Sequence, residues 1–149
     1  MARVQNPPEP FAAVRLDRAR AAIYNRNEVR KMAEVLLYNI EKTKAVRIKV
    51  LCSKMGVAAR TVPREDYGVK LSALLGLTDD RAAQPDSDFD AEMLYFSEVI
   101  PPILSLLLNQ LRRQRTPVAL KAVRTEDNVG FTSYELYREL EAEHRALNR

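Results

Sequence analysis

Between Pro102 and Arg115 the chain carries Ile103, Leu104, Leu106, Leu107, Leu108 and Leu111, apolar nearly all the way round a helix. A helix without a polar face has to be surrounded, so this segment is expected at the centre of the protein or of an assembly. Pro101 and Pro102 interrupt the preceding pattern and suit a first helical turn, where a missing N–H is no loss. Arg112, Arg113 and Arg115 suit the far end, where the macrodipole favours cations. The apolar run Val99 to Leu108 is too short to cross a bilayer, and Glu98 and Arg112 flank it.

Other helices are read from apolar spacing. One is expected from Phe11 toward Tyr24. A second follows an Asn27 N-cap, with Val29, Met32, Ala33, Leu36, Leu37 and Ile40 at i, i+3, i+4 positions. Over residues 45–52, Val46, Ile48 and Val50 alternate with Arg47 and Lys49, so a strand competes with a helix running to Met55; the helix is preferred. Residues 117–124 offer the matching strand candidate, with Val118, Leu120 and Ala122 alternating. Tyr67 to Leu77 reads as a short helix ending near Gly76, and Phe89 to Ile100 as another built on Met93, Leu94, Phe96 and Val99. The last helix opens on a capping box, Thr132 with Glu135, and shows a narrow stripe of Leu136, Leu140 and Leu147. No internal repeat is visible. The expected fold is mainly α: an extended arm over residues 1–10, then a single helical bundle of about five to six helices over 11–149. An acidic surface loop spans 78–90, and a two-stranded element is the minor alternative.

The 149 residues hold one histidine, one cysteine, no tryptophan and four glycines. Imidazole, thiolate and glycine-rich backbone are the usual materials of catalytic, metal and phosphate sites, so the chain is expected not to be an enzyme and to hold no cofactor or metal. Asp79, Asp80, Asp86, Asp88 and Asp90 lack the glycine and terminal glutamate of a calcium loop. Cys52 is expected to fill a core gap, and His144 to sit on a helix surface. No signal peptide or membrane span is read, which points to an intracellular protein.

Net charge is +4, unevenly spread. Residues 1–77 hold 15 Lys/Arg against 7 Asp/Glu, whereas residues 78–98 hold one arginine against seven acids. A basic half suggests nucleic acid, an acidic membrane surface or an acidic protein partner; the alternative is an acidic segment folded back on a basic surface.

The run Leu51-Cys52-Ser53-Lys54-Met55-Gly56-Val57-Ala58-Ala59-Arg60-Thr61-Val62 resembles the core of a bacterial helix-turn-helix. Cys52, Gly56, Val57 and Val62 match the packing, turn and closing positions of that family. The resemblance implies that Arg60 and Arg64 face a DNA major groove on a helix that must run through Pro63. Lys54, Arg60, Arg64, Arg47 and Lys49 are therefore the candidate nucleic-acid contacts. The preferred function is nevertheless a non-catalytic small subunit of a larger assembly, viral, nucleoprotein or organellar, with a helix-turn-helix DNA-binding regulator as the alternative. It would associate with protein partners or itself through Pro7, Pro8 and Pro10 of the arm and through Leu136, Leu140 and Leu147. No small-molecule substrate is evident.

Overall fold

Glu34–Tyr38 and Met93–Ser97 are two runs of five residues buried on both faces, and both are β-strands, not turns of helix. The computed structural model describes residues 32–148; the proline arm, the expected helix from Phe11 and the Asn27 cap lie outside that range. The mainly α bundle expected from the sequence is not formed. A four-stranded mixed sheet stands in its place, so the fold is α/β and not all-α.

In chain order the elements are β1 (Glu34–Tyr38), α1 (Lys42–Lys54), β2 (Ala58–Thr61), a 3₁₀ turn (Arg64–Asp66) and α2 (Leu71–Leu74). After residues 78–90, which carry no helix or strand, come β3 (Met93–Ser97), α3 (Pro101–Arg113), β4 (Leu120–Val123), a second 3₁₀ turn (Asn128–Gly130) and α4 (Ser133–Leu147). The sheet order is β2-β1-β3-β4. Each outer strand runs parallel to its inner neighbour, and the inner strands run antiparallel to each other. One face carries α1 and α3 over Val35, Leu37, Leu94 and Phe96. The other carries α2 and α4 over Leu36, Tyr38, Met93 and Tyr95.

Over residues 32–40 and 89–100 the helical reading failed for one reason. A central strand covered on both faces needs no polar alternation, and its short apolar run then satisfies helical spacing as well. Residues 45–52 are helical as preferred, and 120–123 form a strand, but the two do not pair with each other. The segment like a helix-turn-helix begins as expected, with helix α1 ending before Gly56 at φ +73°. Ala58–Thr61 then enters the sheet beside β1, so no recognition helix exists there.

The chain is also built twice. Both halves run strand, helix, parallel strand, 3₁₀ turn, helix. Left-handed backbone recurs at the same places: Asn39 (φ +58°) and Glu98 (φ +59°) follow the first strand, and Gly56 and Arg115 (φ +54°) follow the long helix, each pair 59 residues apart. The β1–β3 register sets Leu36 against Tyr95, which are themselves 59 apart. A local two-fold axis therefore passes between them. It is met again where Lys70 bridges Thr132, the residues that precede α2 and α4. Between Thr116 and β4 the second half carries three extra residues, Pro117 to Ala119, so counterparts are 62 apart from there on: Ala58 with Leu120, and Lys70 with Thr132.

Local capping fits these boundaries. The Glu41 carboxylate accepts from the Thr43 N–H at 2.5 Å at the start of α1, and that bond lowers its pKa. The capping box of α4 is closed in both directions, Thr132 Oγ1 accepting from Glu135 N–H at 3.1 Å and Glu135 Oε1 from Thr132 N–H at 2.8 Å. Cys52 lies in the core under α1, where burial pushes its thiol up to about 12.

Candidate functional site

The nucleic-acid candidates from the sequence divide in two. Arg60 is spent inside the fold: its Nε donates to Glu34 Oε2 at 2.9 Å, and its Nη2 to the Leu74 carbonyl. Arg64 is held by Asp90 at 2.7 Å and by Asp88, and these partners raise its pKa further. Arg81 pairs with Asp66 and Lys70 with Asp80, so the acidic segment folds back on basic neighbours. Gly68 makes this approach possible, because a Cβ there would collide with the Gln84 backbone. Arg47, Lys49 and Lys54 remain along α1 without an ion pair among the described residues.

The expected association stripe is likewise divided. Leu136 is a core residue, 2% exposed, and Leu140 packs against the same core. Leu147 is 84% exposed at the end of α4. Pro7, Pro8 and Pro10 lie outside the described residues.

The helix expected at the centre of the protein or of an assembly lies at the surface of the protein. Only Leu107 and Leu111 of α3 are buried. Ile103, Leu104 and Leu108 are partly covered, Leu106 is 49% exposed, and Ile100 just before the helix is 61% exposed. The internal repeat shows how unusual this is. At the positions of Ile100, Ile103, Leu106 and Leu108, the first half carries Glu41, Lys44, Arg47 and Lys49. The same helix on the same sheet face is thus charged in one half and aliphatic in the other. The exchange runs the other way at Val46 and Val50, whose counterparts are Ser105 and Asn109, while α3 adds the partly covered Ile103, Leu104 and Leu108 to the exposed Leu106.

Where α3 ends and β4 begins there is a recess of about 290 Å³ lined by Leu108, Leu111, Arg112, Pro117, Val118 and Lys121. Pro117 and Val118 belong to the three-residue insertion, and Leu108 replaces a lysine, so the first half cannot form it. Its lining is apolar apart from two cations. Lys121 Nζ donates to the Val118 carbonyl, and Arg112 has no ion pair among the described residues. A second, more open hollow lies between Arg64, Gly68 and residues 84–88, walled by the acidic segment itself. No cluster of potential metal ligands occurs among the described residues.

Helical periodicity could not have singled out Leu104, Leu108, Val118 and Lys121, because the pattern says which residues are apolar and not which neighbours they lack. The alternation over 117–124 was the one available signal of an edge strand.

Residues 92–147 match the model of a family described as a domain of unknown function, DUF3783. That match begins one residue before β3 and ends with α4, so the second structural unit, recess included, is what resembles the family. The first unit has the same element order and lies outside the match. No curated protein and no solved structure matches the chain. No helix among the described residues is long and apolar enough to cross a membrane.

Proposed function

We propose that this chain is a non-catalytic interaction protein, a small subunit of a larger assembly, which receives a protein partner on the α3–β4 side of its second unit. The observation that carries this reading is the exchange of Glu41, Lys44, Arg47 and Lys49 for Ile100, Ile103, Leu106 and Leu108 at matched positions. The first unit supplies the solvated version of the helix, and the second departs from it toward the composition of an interface core. The intracellular setting expected from the sequence belongs to the same proposal, and the buried thiol of Cys52 suits a reducing compartment.

The test is a photo-crosslinking amino acid at position 106, compared with one at its counterpart 47, in the full chain within the cells that make it. Discrete adducts from position 106 and none from 47 are expected. Equal adducts from both, or none from either, would remove the reading. Leu106→Glu should abolish the adducts of a crosslinker at position 103, while stability stays within about 0.5 kcal/mol because the site is half exposed.

A second reading, nucleic-acid binding, rests on the cations of α1 that form no salt bridge among the described residues, Arg47, Lys49 and Lys54 of the sequence candidates together with Lys42. Size-exclusion chromatography at low and high salt, followed at 260 and 280 nm, decides it. A peak rich in 260 nm absorbance and shed by salt supports it, and a protein-only peak at low salt ends it. Arg60 and Arg64 are not part of this reading, since both are engaged internally.

A further inference from the structure

We infer that the α3–β4 site takes an extended, acidic and apolar segment of a partner protein, which adds to the sheet as a fifth strand beside β4. The inference rests on the interaction reading above and specifies the partner's chemistry. Among the described residues β4 is an edge strand paired only with β3. The Arg124 N–H donates to the Phe96 carbonyl, so even-numbered residues of β4 bond inward, and Lys121 and Val123 turn their backbone groups to the open edge. The Val123 carbonyl is capped by Asn128 Nδ2 at 3.0 Å. Among the described residues no hydrogen bond reaches the N–H of Lys121, its carbonyl or the N–H of Val123. Two donors and one acceptor are therefore presented to an incoming backbone.

Side chains of an added strand alternate between the two faces of the sheet. Those on the α3 face would meet Leu104, Leu108 and the recess, which accepts an apolar side chain. The cations at that recess are Arg112 and Lys121, and no carboxylate lines it. An acidic residue next to the seated apolar one completes the charge. Lys121 uses one donor on Val118, which leaves two on its ammonium for such a carboxylate. The opposite edge cannot serve equally: at the positions of Leu108, Arg112 and Lys121 the β2 side carries Lys49, Ser53 and Ala59.

The experiment is selection of a displayed library of random linear heptapeptides against the immobilised full chain, with binding then measured by fluorescence anisotropy. Enriched peptides are expected to alternate β-branched or aromatic residues with Asp or Glu. They should bind Leu108→Lys and Arg112→Glu about tenfold or more weakly than the parent chain. Leu108→Lys copies the first unit at a partly exposed position, so its melting curve is the control for folding. Enrichment without acidic bias, binding to Leu108→Lys within about threefold of the parent, or no enrichment overturns the inference. Adducts at position 106 between two copies of the chain also overturn it, by naming the occupant as a second copy. Adducts to another protein, with the peptide results negative, leave the interaction function standing and remove only the acidic strand.

Discussion

The two halves of this protein share one scaffold and differ in what they show to solvent. α1 carries Lys42, Lys44, Arg47, Lys49 and Lys54 along its length, whereas α3 keeps its charges for Arg112 and Arg113 at the last turn. Below the surface the halves converge. Ile48 and Leu107 occupy one position and are each 1% exposed, and Cys52 and Leu111 occupy another. Burial constrains a side chain to be apolar and of the right volume, but it says nothing of the opposite face of the same helix. Divergence on the outside of a shared core therefore marks where the halves meet different surroundings.

The comparison breaks most readily in the core. Ile48→Ala and Leu107→Ala should each destabilise the chain by about 3 kcal/mol, read as equal shifts of the urea midpoint. A difference above about 1.5 kcal/mol between them would end the equivalence.

Next comes the glycine pair. Gly68 and Gly130 are counterparts, but a Cβ on Gly68 meets the Gln84 backbone, whereas one on Gly130 meets nothing within 4 Å. Gly68→Ala should cost about 2 kcal/mol and expose residues 78–90 to limited proteolysis, with Gly130→Ala within about 0.5 kcal/mol of the parent.

A titration separates the halves further, since only the first has an ionisable group at the Cys52/Leu111 position. The folded thiol is raised to about 12 against an ordinary value of about 8.5. A group with a raised folded pKa stabilises fully below its unfolded pKa and loses that contribution as pH rises. At pH 10 the loss from Cys52 should be about 2 kcal/mol, and Cys52→Ala should flatten that part of the stability curve. Burial raises the Tyr38 phenol as well, so a further fall above pH 10 is expected in both proteins.

The smallest expected effect is a gain. Val57 and Thr116 are counterparts, each donating its N–H back to the helix at 2.9 Å, to Cys52 and Leu111 respectively. The Thr116 hydroxyl is buried without a hydrogen-bond partner among the described residues. Thr116→Val, which copies the first half, should stabilise by about 1 kcal/mol in thermal or urea unfolding.

Much of the periphery was legible in the sequence and the centre was not. The capping box at Thr132, the paired prolines before Ile103 and the acidic stretch 78–90 each carry a local physical signal, and each marks a boundary that the structure keeps. β1 and β3 carry no such signal. Glu34 and Ser97, the polar residues that could have broken a helical pattern, are buried at 4% and 2% exposure beside each other in the sheet. The repeat was hidden for a related reason: α1 and α3 agree in pattern only at core positions, and outside the core one is charged where the other is aliphatic. For the candidate site, the apolar helix was visible and its neighbours were not. The recess depends on Pro117 and Val118, whose status as an insertion emerges only when the halves are set against each other.

Residues 78–90 also have a mechanical meaning. They tether two units whose central strands meet over five paired residues around a two-fold axis, as two separate subunits would. A covalent tether of this kind holds its ends together at an effective concentration on the order of millimolar, so the union of the halves does not depend on how much protein is present. Were the pair made of two copies of one subunit, any change to one would appear in both. Joined in one chain they are released from that symmetry, and one half can keep a charged coat while the other presents an aliphatic one.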